Sequence, residues 1–501
     1  MRRAATLFSL VSCCLAVLPA HAELPPPLVR LLADAGIPED GVGLVVAPVG
    51  RGPRFVEHGA ERSLQPASTM KLVTTLVGLE QLGPGFVGRT RLLATAPVRD
   101  GVLQGDLVLQ GGGDADFNAA DLHHLLRRLR DRGLKDIRGD LVLDRSWFNP
   151  MRYDIGVPPF DEAPEFAYNL IPDALMVGGN LLRVELFSDE RGLQVVAQPP
   201  LAGARVIHEM VLVDGDCAKW DDGWKPPEVR PGKLGRMTDI VLRGTFPVGC
   251  ERSFEIATLD RNDFIGRAFR AQWAALGGNW RGKVREGSAP TSGAVLLGEH
   301  ASRPLSEGVR AINKPSDNAM TRLLYLQLGR ALEGVDRSEP TPVRADRAVR
   351  AWFRRQGIDD DGLVMDNGSG LSRRERIKPA QLEAVVRAGL NSRWAPEWLA
   401  SLPIVGIDGT MRRRGQGSPA AGNARMKTGT LRNVVALAGT MADAAGRPCI
   451  VVAILNHDAV RPGAARPVID GILDWVARSR FDEAGEATAA ATAVPQPAAP
   501  R

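Results

Sequence analysis

The strongest β-strand signal of the chain lies near its C-terminal end, where RNVVALAGTMADAAGRPCIVVAILN contains two apolar runs around a turn at residues 443–447. Near the N-terminus, GVGLVVAPVGRGPRFVEHGA predicts two further strands joined by a Gly-rich turn. We expect the strands before residue 60 and after residue 424 to pair into one antiparallel sheet with helices packed on it. Both ends of the chain would then build one α+β domain, and the middle of the chain would be an insertion.

Helical patterns separate and follow these strands. The apolar run from Leu72 to Leu82 ends at Gly83-Pro84 and predicts a mostly buried helix. DLHHLLRRLRDRG predicts an amphipathic helix with one stripe of leucines. The last helix, PVIDGILDWVARSR, has an apolar face that would either cover the sheet or make a peripheral contact with a membrane, and a core helix is the favoured interpretation.

These changes of pattern divide the 501 residues into a two-part domain and an inserted region. Short strands punctuated by Pro, Gly and Trp between residues 140 and 255 predict that the insertion is rich in β-structure. The Ala/Pro-rich end has too few apolar residues to build a core. The predicted parts are a signal peptide at 1–22, a domain at 23–90 and 285–480, an inserted region at 91–284 with two nested domains (about 91–175 with 256–284, and about 176–255), and a disordered tail at 481–501.

The N-terminus predicts export from the cytoplasm. MRRAATLFSLVSCCLAVLPAHA combines a basic start, an apolar stretch and Ala20-His21-Ala22, which is typical of a signal-peptidase site. We expect cleavage after Ala22 and a periplasmic protein. Cys13 leaves a lipoprotein-type signal as the alternative, although the apolar segment before it is short. No later stretch is apolar enough to span a membrane, so no transmembrane anchor is predicted in the mature chain.

Three of the five cysteines follow the predicted cleavage site. Cys217 and Cys250 lie in one loop-rich region, whereas Cys449 opens the apolar run CIVVAIL. In an oxidising compartment we expect a disulfide between Cys217 and Cys250 and a buried free thiol at Cys449.

The charge pattern argues against a nucleic-acid partner. The formal net charge is +5, no dense Lys/Arg run is interleaved with aromatic residues, and aromatic residues make up only 5% of the chain. The basic balance suits an anionic surface such as a cell wall.

The segment PASTMKLVTT places Ser68 three residues ahead of Lys71, where a loop gives way to an apolar run. Ser68 is either an ordinary helix N-cap or a nucleophile with Lys71 as its base. Residues at i and i+3 of a helix share a face, so the amine can reach the hydroxyl. A lysine with an ordinary pKa of about 10.4 is protonated at neutral pH, and it becomes a base only if it is desolvated or lies beside a second cation.

Other catalytic patterns are poorly supported. None of the seven histidines lies in a Gly-x-Ser-x-Gly or His-Glu-x-x-His setting, which argues against a Ser-His-Asp hydrolase and a zinc peptidase. GGGDAD at 111–116 is not followed by Gly-Lys-Ser/Thr, as a phosphate-binding loop would be. We predict no metal and no cofactor.

Two further motifs favour the nucleophile hypothesis. KPSDNAM contains Ser-Asp-Asn starting at Ser316, and ARMKTGTLRN contains Lys-Thr-Gly starting at Lys427. Lys427 supplies the second cation that a neutral Lys71 requires. Each triplet alone is weak, but Ser-x-x-Lys, Ser-Asp-Asn and Lys-Thr-Gly in this order form the signature of penicillin-binding proteins and class A β-lactamases.

The long separation between Ser68 and Ser316 distinguishes the chain from a compact β-lactamase, and LQGGGDADF, YNLIPDALMVGGN and DNGSGLSRRERI match as well. The chain therefore resembles the low-molecular-mass class C penicillin-binding proteins, the D-alanyl-D-alanine carboxypeptidase/endopeptidases of the penicillin-binding protein 4 type. This resemblance implies a β-lactamase/transpeptidase-like αβα domain, with an all-helical subdomain and a large β-rich insertion after the Ser68 helix.

The resemblance also implies the chemistry. Ser68 would attack the carbonyl of the penultimate D-alanine of a peptidoglycan stem peptide or cross-link, and water would hydrolyse the acyl-enzyme. Lys71, kept neutral partly by Lys427, would take the Ser68 proton, and penicillins would acylate Ser68. The implied residues are Ser68, Lys71, Ser316, Asn318 and Lys427 for catalysis; Thr428, Gly429, Thr430 and Arg373 for substrate binding; and the backbone N–H groups of Ser68 and Thr430 for the oxyanion hole.

Three alternatives and one unassigned binding residue remain at this point. The protein could be a β-lactamase, which shares the acylation step, or a weakly catalytic protein that binds the cell wall through its insertion. Arg373 could be a solvated surface charge, because Arg374 adjoins it. Some relatives hold the ammonium group of diaminopimelate with an acidic residue of the insertion, for which Asp161 is a candidate here.

Overall fold

The computed structural model describes residues 23–232, 237–481 and 487–489. The predicted signal peptide lies outside these residues, as does most of the predicted tail. The helices are α1 Pro26–Asp34, α2 Lys71–Leu82, α3 Ala119–Asp131, α4 Arg261–Ala275, α5 Leu305–Asn313, α6 Asn318–Ala331, α7 Thr341–Arg355, α8 Pro379–Asn391, α9 Ala395–Ser401 and α10 Pro462–Arg478. The strands are β1 Val42–Pro48, β2 Val56–His58, β3 Arg89–Ala94, β4 Val98–Arg99, β5 Val102–Leu103, β6 Leu107–Gly111, β7 Asp136–Ile137, β8 Leu141–Asp144, β9 Leu182–Asp189, β10 Gly192–Gln198, β11 Ala204–His208, β12 Val211–Val213, β13 Trp224–Pro231, β14 Thr238–Pro247, β15 Glu251–Ile256, β16 Asn279–Trp280, β17 Val284–Glu286, β18 Val295–Ala301, β19 Arg425–Leu431, β20 Val434–Ala442, β21 Pro448–Asn456, β22 Ser479–Phe481 and β23 Ala487–Ala489.

Both ends of the chain meet in one antiparallel sheet with the strand order β19-β20-β21-β1-β2. Val45 of β1 lies opposite Val452 of β21, although the two residues come from opposite ends of the sequence. The pairing that the two strand signals predicted is therefore confirmed. Lys427 lies on β19, at an edge of this sheet.

Both faces of this sheet are buried, which explains why the apolar runs of β20 and β21 are nearly continuous. On β21, Ile450, Val452 and Ile454 face a core shared with α2 and the helices that follow it. Their neighbours Val451, Ala453 and Leu455 face the opposite core, which contains α1 and α10. The apolar side chains of α10 are buried there, so the core-helix interpretation of the last helix is confirmed.

The described residues of the inserted region form four small sheets and the helices α3 and α4. Their strand orders are β17-β8-β6-β3-β18, β16-β7-β5-β4, β10-β9-β15 and β11-β14-β12, with β13 also paired to β14. The leucine stripe of α3 is buried, as its periodicity predicts. Cys217 and Cys250 form the predicted disulfide, and Cys449 is a buried free cysteine.

The sheet that contains β3 includes a strand that the sequence pattern did not predict. Strand β18 pairs with β3, so this sheet continues to Ala301, beyond the return to the first domain that we placed after residue 284. The division of the insertion into two nested domains stays a prediction. In the predicted tail, β23 pairs with β22, and the rest of the tail lies outside the described residues.

No helix in the described part of the chain has both the length and the apolar character needed to cross a bilayer.

Candidate active site

Ser68 lies in a 3₁₀ turn, Ala67–Met70, that leads directly into α2. Among the described residues, no side chain caps either this turn or α2, so Ser68 does not act as an N-cap. Ala67 has a φ of 45°, in the left-handed region that a residue with a Cβ seldom adopts. The Ser68 hydroxyl instead accepts a hydrogen bond from the Lys71 amine at 2.9 Å.

Lys71 is completely buried at the start of α2. Besides Ser68, its Nζ donates to Asn318 Oδ1 at 2.7 Å and to the Ser369 carbonyl at 2.5 Å. Burial lowers the pKa of Lys71 to about 7, although the carboxylates of Glu375 and Asp317 oppose the shift. A substantial fraction of Lys71 is therefore neutral at pH 7, as a general base requires.

Lys427 is the second buried lysine of the site. Its Nζ donates to Ser316 Oγ at 2.8 Å and to the Thr428 carbonyl at 2.8 Å. Burial and the nearby Lys71 hold the pKa of Lys427 well below its usual value. We expected desolvation or a second cation to keep Lys71 neutral, with Lys427 contributing in part, and burial is the main cause of the lowered pKa of Lys71.

The Ser-Asp-Asn motif forms the turn that begins α6. Ser316 has a φ of 67°, and the Asp317 side chain caps α6 by accepting from the Met320 N–H at 2.7 Å. Asn318 is the first residue of the helix. Its Nδ2 donates to the Tyr168 carbonyl at 3.0 Å, which brings the inserted region to the edge of the site.

The Lys-Thr-Gly motif passes directly beside Ser68. A Cβ on Gly429 would lie 2.8 Å from the Ser68 nitrogen and 2.8 Å from the Pro66 carbonyl, so only glycine permits this approach. Thr428 Oγ1 is 2.8 Å from Thr410 Oγ1, and Thr430 is exposed. The structure thus brings Ser68, Lys71, Ser316, Asn318 and Lys427 together from three distant parts of the sequence.

Residues 27–478 match the D-Ala-D-Ala carboxypeptidase 3 (S13) family. The chain belongs to this family. It is 28% identical over 463 residues to the D-alanyl-D-alanine carboxypeptidase of Actinomadura sp. (strain R39), covering 89% of this chain and 84% of that protein. It is 27% identical over 429 residues to the D-alanyl-D-alanine carboxypeptidase DacB of Haemophilus influenzae, covering 84% of this chain and 86% of that protein.

The fold leads to the same relatives. The crystal structure of penicillin-binding protein 4 (dacB) from Haemophilus influenzae superposes with a TM-score of 0.72 at 24% identity, covering 89% of this chain and 97% of that chain. The transpeptidase-like α+β fold is therefore confirmed. As a member of the S13 family, this protein is a serine-type D-Ala-D-Ala carboxypeptidase.

Two further residues that the sequence singled out, Arg373 and Asp161, lie around one cavity of the carboxypeptidase. The exposed guanidinium of Arg373 lies 5.3 Å from the centre of the Phe160 ring, beside a cavity of about 750 Å³ that Asn169 also lines. Asp161 accepts hydrogen bonds from Tyr168 Oη and Asn169 Nδ2, both at 2.7 Å. Arg373 and Asp161 thus belong to the surroundings of this cavity, and neither contacts Ser68 in the described structure.

DNGSGLSRRERI was recognised as a matching segment, but the contact of its Ser369 carbonyl with Lys71 was not predicted. The buried Glu375, whose carboxylate binds the backbone of the loop at residues 366–370, was not predicted either. The paired glycines of DNGSG were the available signal, since Gly368 and Gly370 have φ values of 73° and 80°. They indicated a tight turn but not what the turn contacts.

Proposed function

We propose that Ser68 is the nucleophile of this carboxypeptidase and that Lys71 is its general base. The observation that carries the proposal is the 2.9 Å contact between Lys71 Nζ and Ser68 Oγ, in a buried site where the pKa of Lys71 falls to about 7. A base with a pKa near the working pH combines a populated neutral form with useful proton affinity.

Acylation transfers one proton and forms one covalent bond. The Ser68 hydroxyl proton passes to Lys71 Nζ as Ser68 Oγ bonds to the carbonyl carbon of the penultimate D-alanine. The backbone N–H groups of Ser68 and Thr430 would stabilise the resulting oxyanion, and one such donor is typically worth about 3 kcal/mol. The edge position of β19 and the glycine at 429 allow Thr430 to approach Ser68 for this purpose.

Collapse of the intermediate breaks the peptide bond. Ser316, bonded to Lys427, would relay to the leaving amine the proton that Lys71 took from Ser68, which leaves Lys71 neutral again. Water would then give one proton to Lys71 as it adds to the ester carbonyl, and that proton would return to Ser68 Oγ as the ester bond breaks. Lys427, Thr428 and Thr430 would bind the terminal carboxylate of the substrate. That carboxylate would favour the charged form of Lys427, because an opposite charge offsets the cost of burying an ammonium group.

The proposed substrates are peptidoglycan stem peptides and their cross-links. The same acyl-enzyme forms whether the leaving amine belongs to a free D-alanine or to a neighbouring stem peptide, so endopeptidase activity accompanies carboxypeptidase activity. Arg373 would contact the substrate from the rim of the cleft. Penicillins would acylate Ser68 through their lactam carbonyl, and the signal-like N-terminus and the disulfide support a periplasmic location.

Digestion of purified peptidoglycan tests this proposal. We expect the wild type to release D-alanine and to cleave cross-links, and Ser68→Ala to do neither while unfolding at the same urea concentration. If Ser68→Ala released D-alanine at the wild-type rate, the assignment of Ser68 as the nucleophile would be overturned.

A fluorescent penicillin separates the two rival functions. A long-lived adduct on the wild type, absent from Ser68→Ala, is expected for a peptidase. Rapid turnover of the drug would indicate a β-lactamase. Peptidoglycan binding with neither labelling nor product release would indicate a cell-wall-binding protein.

A further inference from the structure

One carboxylate, that of Glu375, accepts hydrogen bonds from four backbone N–H groups of the loop at residues 366–370. Glu375 Oε1 accepts from the backbone N–H groups of Gly368 at 2.6 Å, Asn367 at 3.0 Å and Asp366 at 3.3 Å, and its Oε2 accepts from Gly370 at 2.6 Å. Glu375 is completely buried, which raises the pKa of its carboxyl group. Hydrogen bonds from several N–H groups offset the cost of burying a carboxylate, and they depend on the loop keeping this shape.

The loop is pressed against both reacting residues. A Cβ on Gly370 would lie 1.8 Å from the Ala67 carbonyl and 2.8 Å from the Ser68 nitrogen. The Gly368 carbonyl accepts from Thr74 Oγ1 at 2.6 Å, one turn after Lys71 on α2. These contacts place the Ser369 carbonyl 2.5 Å from Lys71 Nζ.

The three partners of Lys71 differ in what they can donate. The Ser369 carbonyl can only accept. Asn318 also presents its carbonyl oxygen to Lys71, because its Nδ2 donates to the Tyr168 carbonyl, which itself can only accept. Ser68 is the only one of these three partners with a proton to donate.

A neutral amine has two N–H bonds and one lone pair. With its two N–H groups donating to Asn318 and Ser369, Lys71 can only direct its lone pair at the Ser68 hydroxyl. We propose that Glu375 is a positioning residue for the general base: it holds the Ser369 carbonyl against Lys71 and thereby fixes the rotation of the neutral amine toward Ser68. This inference rests on the proposed function, in which Lys71 is the base.

The pH dependence of acylation distinguishes positioning from a merely structural role. Lys71 faces the charged groups of Glu375, which follows the loop, of Asp317 at the N-cap of α6, of Arg322 on α6 and of Lys427 on β19. The Glu375 carboxylate raises the pKa of Lys71, and Glu375 itself faces Arg322 and Asp366. Removing this negative charge should therefore lower the pKa of Lys71 and move the acid limb of the acylation profile to lower pH.

The experiment measures the second-order rate of acylation by a fluorescent penicillin between pH 5 and pH 9. Gln at 375 keeps the size of the side chain but directs an NH₂ group at backbone N–H donors. We expect Glu375→Gln to lower the plateau rate by about 10- to 100-fold, the usual cost of a misplaced catalytic group, and to move the acid limb to lower pH. A rate within about twofold of wild type with an unmoved acid limb would overturn the proposal.

A milder variant covers the case in which Glu375→Gln does not fold. Thr74→Val removes the hydrogen bond to the Gly368 carbonyl but leaves every charge in place. We expect the plateau rate to fall several-fold without a shift of the acid limb. An unchanged plateau rate in this variant would also overturn the proposal.

Asp443 provides the matched control. It is a buried carboxylate that accepts from the backbone N–H groups of Ala445 at 2.8 Å and Arg447 at 2.9 Å in the turn between β20 and β21. Asp443→Asn should lower stability without changing the acylation rate of the folded protein or its acid limb. Labelling of wild type but not of Ser68→Ala shows separately that the proposed function holds, so the two proposals fail in distinguishable ways.

Discussion

The active-site cleft and the inserted region both bury ionisable side chains, but the hydrogen-bond partners of these side chains differ between the two regions. In the insertion, the buried Asp173 accepts from Arg145 Nε at 3.0 Å and from Arg261 Nη1 at 2.7 Å, so opposite charges are in contact. In the cleft, the hydrogen-bond partners of Lys71 and Lys427 are all uncharged oxygens.

This difference separates a structural use of buried charge from a catalytic one. An ion pair in contact keeps both groups ionised, and removal of one partner leaves an uncompensated charge. A buried lysine that meets only uncharged oxygens instead has a lowered pKa and becomes available for proton transfer. The following four predictions test this contrast.

Removal of the base should produce the largest effect. Lys71→Met should lower the rate of acylation by a fluorescent penicillin by about 10²- to 10⁴-fold, the usual contribution of a general base. The free energy of unfolding in urea should change little by comparison, because the cost of burying an ammonium group disappears while three acceptors lose their donor. A rate within tenfold of wild type would contradict the role of Lys71.

Breaking the ion cluster of the insertion should produce the opposite result. Asp173→Ala removes the carboxylate that two buried guanidinium groups share, and leaves Arg261 with Asp154 at 3.3 Å and Arg145 with Glu286 at 3.9 Å. It should lower the free energy of unfolding by about 3 kcal/mol. The acylation rate of the folded fraction should stay within about twofold of wild type. Asp131→Ala is the control. Its side chain is 68% exposed and lies 4.0 Å from that of Arg127, which is 65% exposed, so the loss of this surface pair should not change stability measurably. A measurable loss of unfolding free energy in Asp131→Ala would contradict the contrast between buried and exposed ion pairs.

Removal of the disulfide should also act on stability alone. The double variant Cys217→Ser, Cys250→Ser should lose about 2–4 kcal/mol of unfolding free energy, because the bond restricts the unfolded chain. Labelling by the penicillin should not change. A reducing agent should reproduce the loss in the wild type and have no effect on the double variant, and a change in labelling rate would show that the insertion and the cleft are coupled.

The pH profile gives the smallest expected effect. With a Lys71 pKa of about 7, the neutral form falls about tenfold from pH 8 to pH 6, and the acylation rate should fall with it. The folded pKa lies below the unfolded value of 10.5, so the unfolded chain binds more protons between these values. The contribution of Lys71 to stability therefore rises as pH increases through this window, and Lys71→Met should lack that rise in urea titrations.

Much of the fold follows from local signals in the sequence. The apolar runs of β20 and β21, the leucine stripe of α3 and the closing Gly83 of α2 each depend on neighbouring residues, so periodicity and turn chemistry predict them. Strand β18 was not predicted, because it is partly exposed and owes its position to pairing with β3. Pairing between distant strands produces little periodicity or turn pattern in the sequence of either strand.

The candidate site divides in the same way. Ser68, Lys71, Ser316, Asn318 and Lys427 were predicted because their motifs specify side chains. The carbonyls of Ser369 and Tyr168 were not, because any residue supplies a backbone acceptor. The role of Glu375 was not predicted because its partners are backbone N–H groups, which almost every residue type has and which therefore leave no pattern in the sequence.

The sequence by itself thus determined which side chains could react and that both ends of the chain share a sheet. Only the tertiary structure decided the protonation of Lys71, because the pKa of a lysine depends on the water and charges around it. The direction of its lone pair was likewise decided by a loop that approaches from almost three hundred residues away.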